Sequence, residues 1–169
     1  MPITHHALHI TFAFALTAAA HGAPLLYDMG TSKSAVWPGC TQVTADSIYA
    51  EGKTFGWSSK TGLKAIARAY SEPVANKSRG TSEPPPIWTN PITEDAIVGD
   101  HENSFLVKAA PGEYEIYIVC GASESSRSQY WDFEVRAGAQ KQRVQMEGGQ
   151  QFRSLRFRAT VGREPLAIT

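Results

Sequence analysis

The chain has 169 residues, about one domain's worth. Sixteen Lys and Arg balance sixteen Asp and Glu, so the formal net charge is zero, which argues against a nucleic-acid binder held by phosphate neutralisation. Hydrophobic residues make up 42% and charged residues 19%, a composition that can bury a core and is not that of a disordered chain.

Residues 7–20 read ALHITFAFALTAAA, a run without charge. It is shorter than the ~20 residues of a membrane-spanning helix and matches the apolar core of a secretory signal peptide. No Lys or Arg precedes it, only His5, His6 and the amino terminus. Ala20 and Gly22 supply small residues for cleavage. Residues 1–22 are therefore expected to be a signal peptide. Residues 23–169 are then a mature domain that is secreted, periplasmic or at the cell surface, with no membrane span. The other reading of the run is a buried N-terminal helix. Cleavage would remove His5, His6, His9 and His21 and leave His101. A zinc site with two or three histidines could then not be built, and a Ser-His-Asp or Cys-His arrangement would have to use His101. Cys40 and Cys120 both stay. An even count in an exported protein points to a Cys40–Cys120 disulfide, the alternative being two buried thiols.

Short alternating runs between turn signals dominate the rest, which predicts an antiparallel all-β domain. Residues 71–100 differ. They are rich in Pro, Ser, Thr and Asn and end in SEPPPIWTNPITEDAIVGD. Three consecutive prolines do not fit a central strand, so a long loop or edge segment is expected, of the kind that carries binding groups. SFLVKAA then runs through Pro111-Gly112 into EYEIYIVCG, the clearest strand pair. The period of two sets Tyr114, Ile116, Ile118 and Cys120 inward and Glu113, Glu115, Tyr117 and Val119 outward. WDFEVRAG sets Trp131, Phe133 and Val135 inward against Asp132, Glu134 and Arg136. KQRVQMEGG puts Val144 and Met146 on one side. FRSLRFRATV puts Leu155, Phe157 and Ala159 inward. Arg153, Arg156 and Arg158 read as a basic patch or, more simply, as a solvated strand face with Glu134 and Glu147 as partners. Strands at this spacing suit a sandwich or jelly roll. PLAIT at the end reads as the first half of a strand, so the sandwich is expected to lack its last strand, as a piece of a longer protein would.

The order of several short motifs resembles a known family. Tyr27-Asp28-Met29-Gly30 comes first, then Pro38-Gly39-Cys40-Thr41-Gln42-Val43-Thr44, then Tyr49, then Thr54-Phe55-Gly56-Trp57. AIVGDHENSFLVKAAPGEYEIYIVCG, DFEVRAG and KQRVQMEGG follow. Together they are similar to the galactose-binding-like β-sandwich domain at the N terminus of bacterial rhamnogalacturonan acetylesterases and related secreted polysaccharide-degrading enzymes. The resemblance runs from Leu26 to Ile168. Cys40 stands where that family has an aromatic residue, and the paired departure with Cys120 adds support for the bridge. Nothing here resembles the esterase's Gly-Asp-Ser nucleophile block or its terminal Asp-x-x-His. The resemblance therefore implies an accessory domain without the enzyme's activity.

Sugar binding on such a sandwich needs flat apolar faces and planar polar groups. Trp37, Trp57 and Trp131 are expected in the core. Trp88 in the Pro-rich loop, Asn90 beside it, and Tyr130 after the SESSRSQ segment are the candidate ligand-binding residues. Asp95, Asp100 and Glu102, close to Glu94, are candidate oxygen ligands for a structural Ca²⁺, or else ordinary turn residues. His101 beside Asp100 is a candidate base whose simpler reading is a surface histidine. The glycines form no phosphate-binding pattern. The expectation is thus an exported, non-catalytic carbohydrate-binding or accessory module, the N-terminal part of a longer polysaccharide-active or surface protein. A structural or protein-interaction sandwich of the envelope is the alternative, and a small hydrolase a more distant one.

Overall fold

The computed structural model describes residues 8–10, 13–18, 24–67, 95–121, 131–146 and 152–169. The described residues are all β, with no helix. In chain order the strands are β1 (Leu8–Ile10), β2 (Ala13–Ala18), β3 (Leu25–Met29), β4 (Thr41–Val43), β5 (Phe55–Trp57), β6 (Leu63–Ala67) and β7 (Asp95–Gly99). Then come β8 (Phe105–Val107), β9 (Gly112–Gly121), β10 (Trp131–Ala137), β11 (Gln140–Met146), β12 (Phe152–Val161) and β13 (Leu166–Ile168).

They form three sheets. One runs β12-β9-β2-β3-β4, called here the β9 sheet; a second runs β11-β10-β13-β8-β5, the β10 sheet; a small one runs β1-β7-β6. Pairing is antiparallel except between β3 and β4. The period-two reading of β9 and β12 holds. Tyr114, Ile116, Ile118 and Cys120 are buried, as are Leu155, Phe157 and Ala159 on the partner strand. Val135 and Val144 are buried from β10 and β11, and the inward faces of both five-stranded sheets meet in one core.

An aromatic cluster joins the two sheets at the centre of that core. Tyr27 of β3 lies 5.0 Å from Phe55 and 5.3 Å from Phe105 between ring centroids, and Trp57 lies 5.2 Å from Phe105. Trp57 is 4% exposed, in the core as its motif predicts. Its indole N–H donates to the Thr44 carbonyl at 3.0 Å, so the one polar atom of the ring is satisfied. Gly56 lets this happen. A Cβ there would lie 2.7 Å from the Ile48 carbonyl carbon, where the backbone of residues 47–49 crosses β5.

Several expectations change. Pro111-Gly112 does not close a hairpin. β8 pairs with β13 and β5 in one sheet, and β9 pairs with β12 and β2 in the other. The turn is a corner between sheets, held by the Tyr114 hydroxyl donating to the Ala110 carbonyl at 2.9 Å. The true hairpin is β10–β11, whose two-residue loop Gly138-Ala139 uses Gly138 at φ 58°. The end of the Pro-rich stretch is a strand: Asp95, Ala96, Ile97 and Val98 of β7 are buried between β6 and β1. β13 is not half a strand at an open edge. It lies between β10 and β8, and Thr169 exchanges two backbone hydrogen bonds with Arg136 at 2.8 and 3.0 Å.

The apolar run expected as a leader supplies β1 and β2, and β2 sits between β9 and β3. Cys40 and Cys120 are free thiols, which corrects the expected disulfide. Cys120 is on β9 and Cys40 immediately precedes β4, three strand positions away in the sheet. At ~4.8 Å per strand that is roughly 14 Å, twice the reach of a disulfide's Cα separation. Burial pushes the Cys120 thiol up to about 12. Burial and the nearby Asp28 charge also raise Cys40. Both are protonated at neutral pH.

The free edge of β12 is managed by side chains. Gln142 of β11 donates its amide to the Arg156 carbonyl at 2.6 Å, and the Gln140 amide oxygen accepts from the Arg158 N–H at 2.8 Å. Backbone groups that an edge strand would offer to another chain are thereby used within this one.

Candidate functional site

The large hydrophobic residues exposed among the described residues are Val36 (38%), Trp37 (40%) and Tyr117 (37%). All three belong to the solvent side of the β9 sheet. Tyr117 alternates with buried Ile116 and Ile118 on β9. Asp28 alternates with core residues Tyr27 and Met29 on β3, so its side chain leaves from the same outer face. Residues 31–40 fold back over it, and Trp37 rides on that loop.

The loop is held at several points. Thr31 and Ser34 close its first turn, with hydroxyls 2.8 Å apart. The Gln42 side chain of β4 donates to the Thr31 carbonyl at 2.9 Å. Residues 37–40 form a type II turn, with Pro38 and Gly39 at its centre. The Cys40 N–H donates to the Trp37 carbonyl at 3.0 Å, and Gly39 has φ 86°. Asp28, only 3% exposed, accepts the Trp37 backbone N–H on Oδ2 at 2.7 Å. Burial raises the Asp28 carboxyl above the ordinary carboxylate range, and the Trp37 N–H opposes that shift without cancelling it. The indole is thus fixed at its backbone from below and left open at its ring.

Gly30 completes the support. A Cβ at Gly30 would overlap the carboxylate of Asp95, which is buried on β7. The backbone leaving β3 passes directly over that carboxylate, and a side chain at this position would have to displace it.

Tyr117 of β9 is two strand positions from β3, and Arg156 of β12 stands directly opposite it. Its guanidinium lies 5.3 Å from the Tyr117 ring centroid, a cation–π contact. The Tyr117 hydroxyl donates to Glu115 Oε2 at 3.0 Å. Glu115 also accepts from Arg156 at 2.7 Å and from Arg158 at 3.2 Å, and these donors hold its carboxyl below its ordinary value. The expected basic patch therefore divides. Arg156 and Arg158 share the outer face with Glu115 as their partner, in place of Glu134. Arg153 is opposite Cys120 and belongs to the other side of the strand.

No family model, curated protein or solved structure matches this chain.

The remaining sequence candidates fall as follows. Trp88, Asn90 and Tyr130 lie outside the described residues, as do Glu94 and Glu147 and the side chain of Trp131. Trp37 is on the surface, which corrects its expected place in the core: the turn lifts it out of the sheet. Asp95, Asp100 and Glu102 do not converge. Asp95 is buried under Gly30, Asp100 pairs with His101, and Glu102 reaches Arg136 at 3.6 Å. Among the described residues no group of three His, Cys, Asp or Glu is placed to hold a metal ion. His101 Nδ1 and Asp100 Oδ1 are 2.5 Å apart, and this contact lowers the Asp100 carboxyl. The pair stands on an exposed turn over Gly62, whose φ of 74° brings the backbone under both side chains. The missed residue was Trp37. Its signal was present in Trp-Pro-Gly-Cys, where Pro and Gly mark a type II turn that a strand reading passes over.

Proposed function

We propose that this chain is a non-catalytic carbohydrate-binding or accessory module, with Trp37 as its ligand platform. The observation that carries the reading is the indole of Trp37, 40% exposed on a loop that Asp28 and the Pro38-Gly39 turn hold rigid. An aromatic ring fixed in this way offers its face to sugar C–H groups with little ordering cost. The resemblance to the galactose-binding-like β-sandwich adds support, and two five-stranded sheets sharing one core are what such a sandwich needs. In this reading the module works beside a catalytic or surface domain of a longer protein.

Export through residues 1–22 is the companion proposal. A cut after Gly22 would take β2 out of the β9 sheet, while Asp28, Trp37, Tyr117 and Arg156 all stay with the chain. The intact mass of protein recovered from the periplasm or medium reads that cut.

Pull-down on a panel of insoluble and soluble polysaccharides tests the binding. Retention on at least one of them, lost in Trp37→Ala with the melting temperature unchanged, is the expected result. Failure to bind any polysaccharide would remove the carbohydrate reading.

A further inference from the structure

A cut after Gly22 takes a strand from the middle of a sheet, not from its edge. β2 pairs with β9 over five residues, from Phe14 opposite Ile118 to Ala18 opposite Tyr114. It pairs with β3 over four, from Ala13 opposite Asp28 to Leu16 opposite Leu25. Both ladders are antiparallel, so β9 and β3 run parallel to one another on either side of it. Without β2 their facing edges keep their N–H and C=O groups and lose the partners of those groups. The two edges are two strand spacings apart, about 10 Å, which no hydrogen bond crosses. The gap is also fixed from within. β9 is tied along its far edge to β12 by ten residue pairs and sets Ile116 and Ile118 in the core. β3 is tied to β4, and its Tyr27 ring packs on Phe55 and Phe105 of the β10 sheet. Closing the gap would pull these residues out of the core.

We propose that the slot between β9 and β3 is a docking site for an extended strand of a partner polypeptide, which enters antiparallel to both as β2 does. This rests on the export reading above. The full chain shows what fits the slot, because its own residues 13–18 lie in it. Residues opposite one another in a ladder share a face. Position 14 lies in one row with Ile118 and Tyr27, and position 16 in one row with Ile116 and Leu25. Ile116, Ile118 and Tyr27 are all buried, so these rows belong to the core face. The chain places Phe14 and Leu16 there, with alanine or threonine at positions 13, 15 and 17. The partner segment therefore carries apolar residues at alternate positions and no proline. Its backbone supplies the affinity and its alternate side chains the specificity. A sugar does not offer donors and acceptors at the strand period. A second mature copy has lost the same segment.

The test uses the product of the full gene, recovered after export and shown by intact mass to begin at Ala23. A synthetic peptide of residues 11–20, with lysines appended for solubility, is the probe. At about a hundredfold of its Kd it should raise the melting temperature of that protein by about 5 °C or more. The Ala15→Pro peptide, which lacks a backbone donor in the middle of the strand, should give no shift. The Phe14→Asp peptide, which sets a charge on the core face, should give none either. No shift with the unaltered peptide, or equal shifts with all three, would overturn the slot and leave export standing. A recovered protein that still carries residues 13–18 would overturn both, because the slot is then never vacated.

Discussion

The solvent faces of β10–β11 and of the β9 sheet are both lined with charge, and they use it differently. On β10 and β11, Asp132 takes two hydrogen bonds from Arg143 at 2.7 and 2.5 Å, and Glu134 pairs with Arg136 at 2.8 Å and Lys141 at 3.3 Å. Each carboxylate is drawn below its ordinary value by the arginine beside it. Those pairs need nothing from outside the protein. On the β9 sheet the ion pairs around Glu115 hold a tyrosine ring in place, and a buried aspartate holds a tryptophan. Charge that only solvates a strand is satisfied by its cross-strand neighbours. On both faces the charges are met by cross-strand neighbours, Arg158 standing opposite Glu115; what differs is that the β9 sheet also carries exposed aromatic rings.

Substitutions can break or sharpen this contrast. The largest effect should come from the tryptophan that shares a motif type but not a location with Trp37. Trp57→Ala, in the aromatic centre of the core, should cost roughly 3–5 kcal/mol in urea unfolding. Trp37→Ala should cost well under 1 kcal/mol in the same assay, as exposed substitutions do. Beneath the loop, Gly30→Val sets a side chain against the Asp95 carboxylate and should cost about 2–4 kcal/mol, the range for overpacking against a buried polar group. A Gly30→Val protein as stable as the original would show that the loop is not held from below.

A smaller effect follows from Asp28. Its carboxyl is raised in the folded protein, chiefly by burial, so the folded state binds that proton more tightly than the unfolded chain does. The stability tied to it is full below the ordinary carboxylate range and is lost as pH rises through the raised value. Asp28→Asn keeps an acceptor for the Trp37 N–H and cannot ionise. It should melt slightly higher than the original at neutral pH, and the gap should close as the pH falls into the carboxylate range. A gap that widens in acid would mean the charged carboxylate is the stabilising form.

The smallest effect is expected on the other face. Arg143→Ala breaks an exposed, solvent-screened pair, so it should barely move the unfolding midpoint and should leave polysaccharide retention untouched. Equal loss of retention in Arg143→Ala and Trp37→Ala would erase the distinction between the two faces.

Much of this molecule was legible in the order of its residues. Alternation is a local property, and where one face of a strand is buried it can be read without knowing the neighbours. That is why β9 and β12, and Phe133, Val135 and Val144 of the β10–β11 hairpin, came out inward. The outward place of Tyr117 followed in the same way. Pairing is not local. Pro111-Gly112 looks the same whether the strands beside it join one sheet or two, and only the Tyr114 hook and the partners of β8 decide for a corner. Cys40 and Cys120 looked like a bridge because their number is even, but the strands between them set a distance no disulfide spans. Asp95, Asp100 and Glu102 are close in sequence and point to three different neighbours.

The sequence by itself therefore determined the class of fold, the inward residues of its long strands and the surfaces those strands turn to solvent. Each follows from a period of two and from the cost of burying charge. Only the tertiary structure decided which strands are neighbours. With that it decided that Trp37 is outside, that Asp28 is beneath it, and that Tyr117 shares its face two strands away. A site made of side chains from different strands exists only once the sheet order is fixed, and sheet order depends on contacts between residues far apart in the chain.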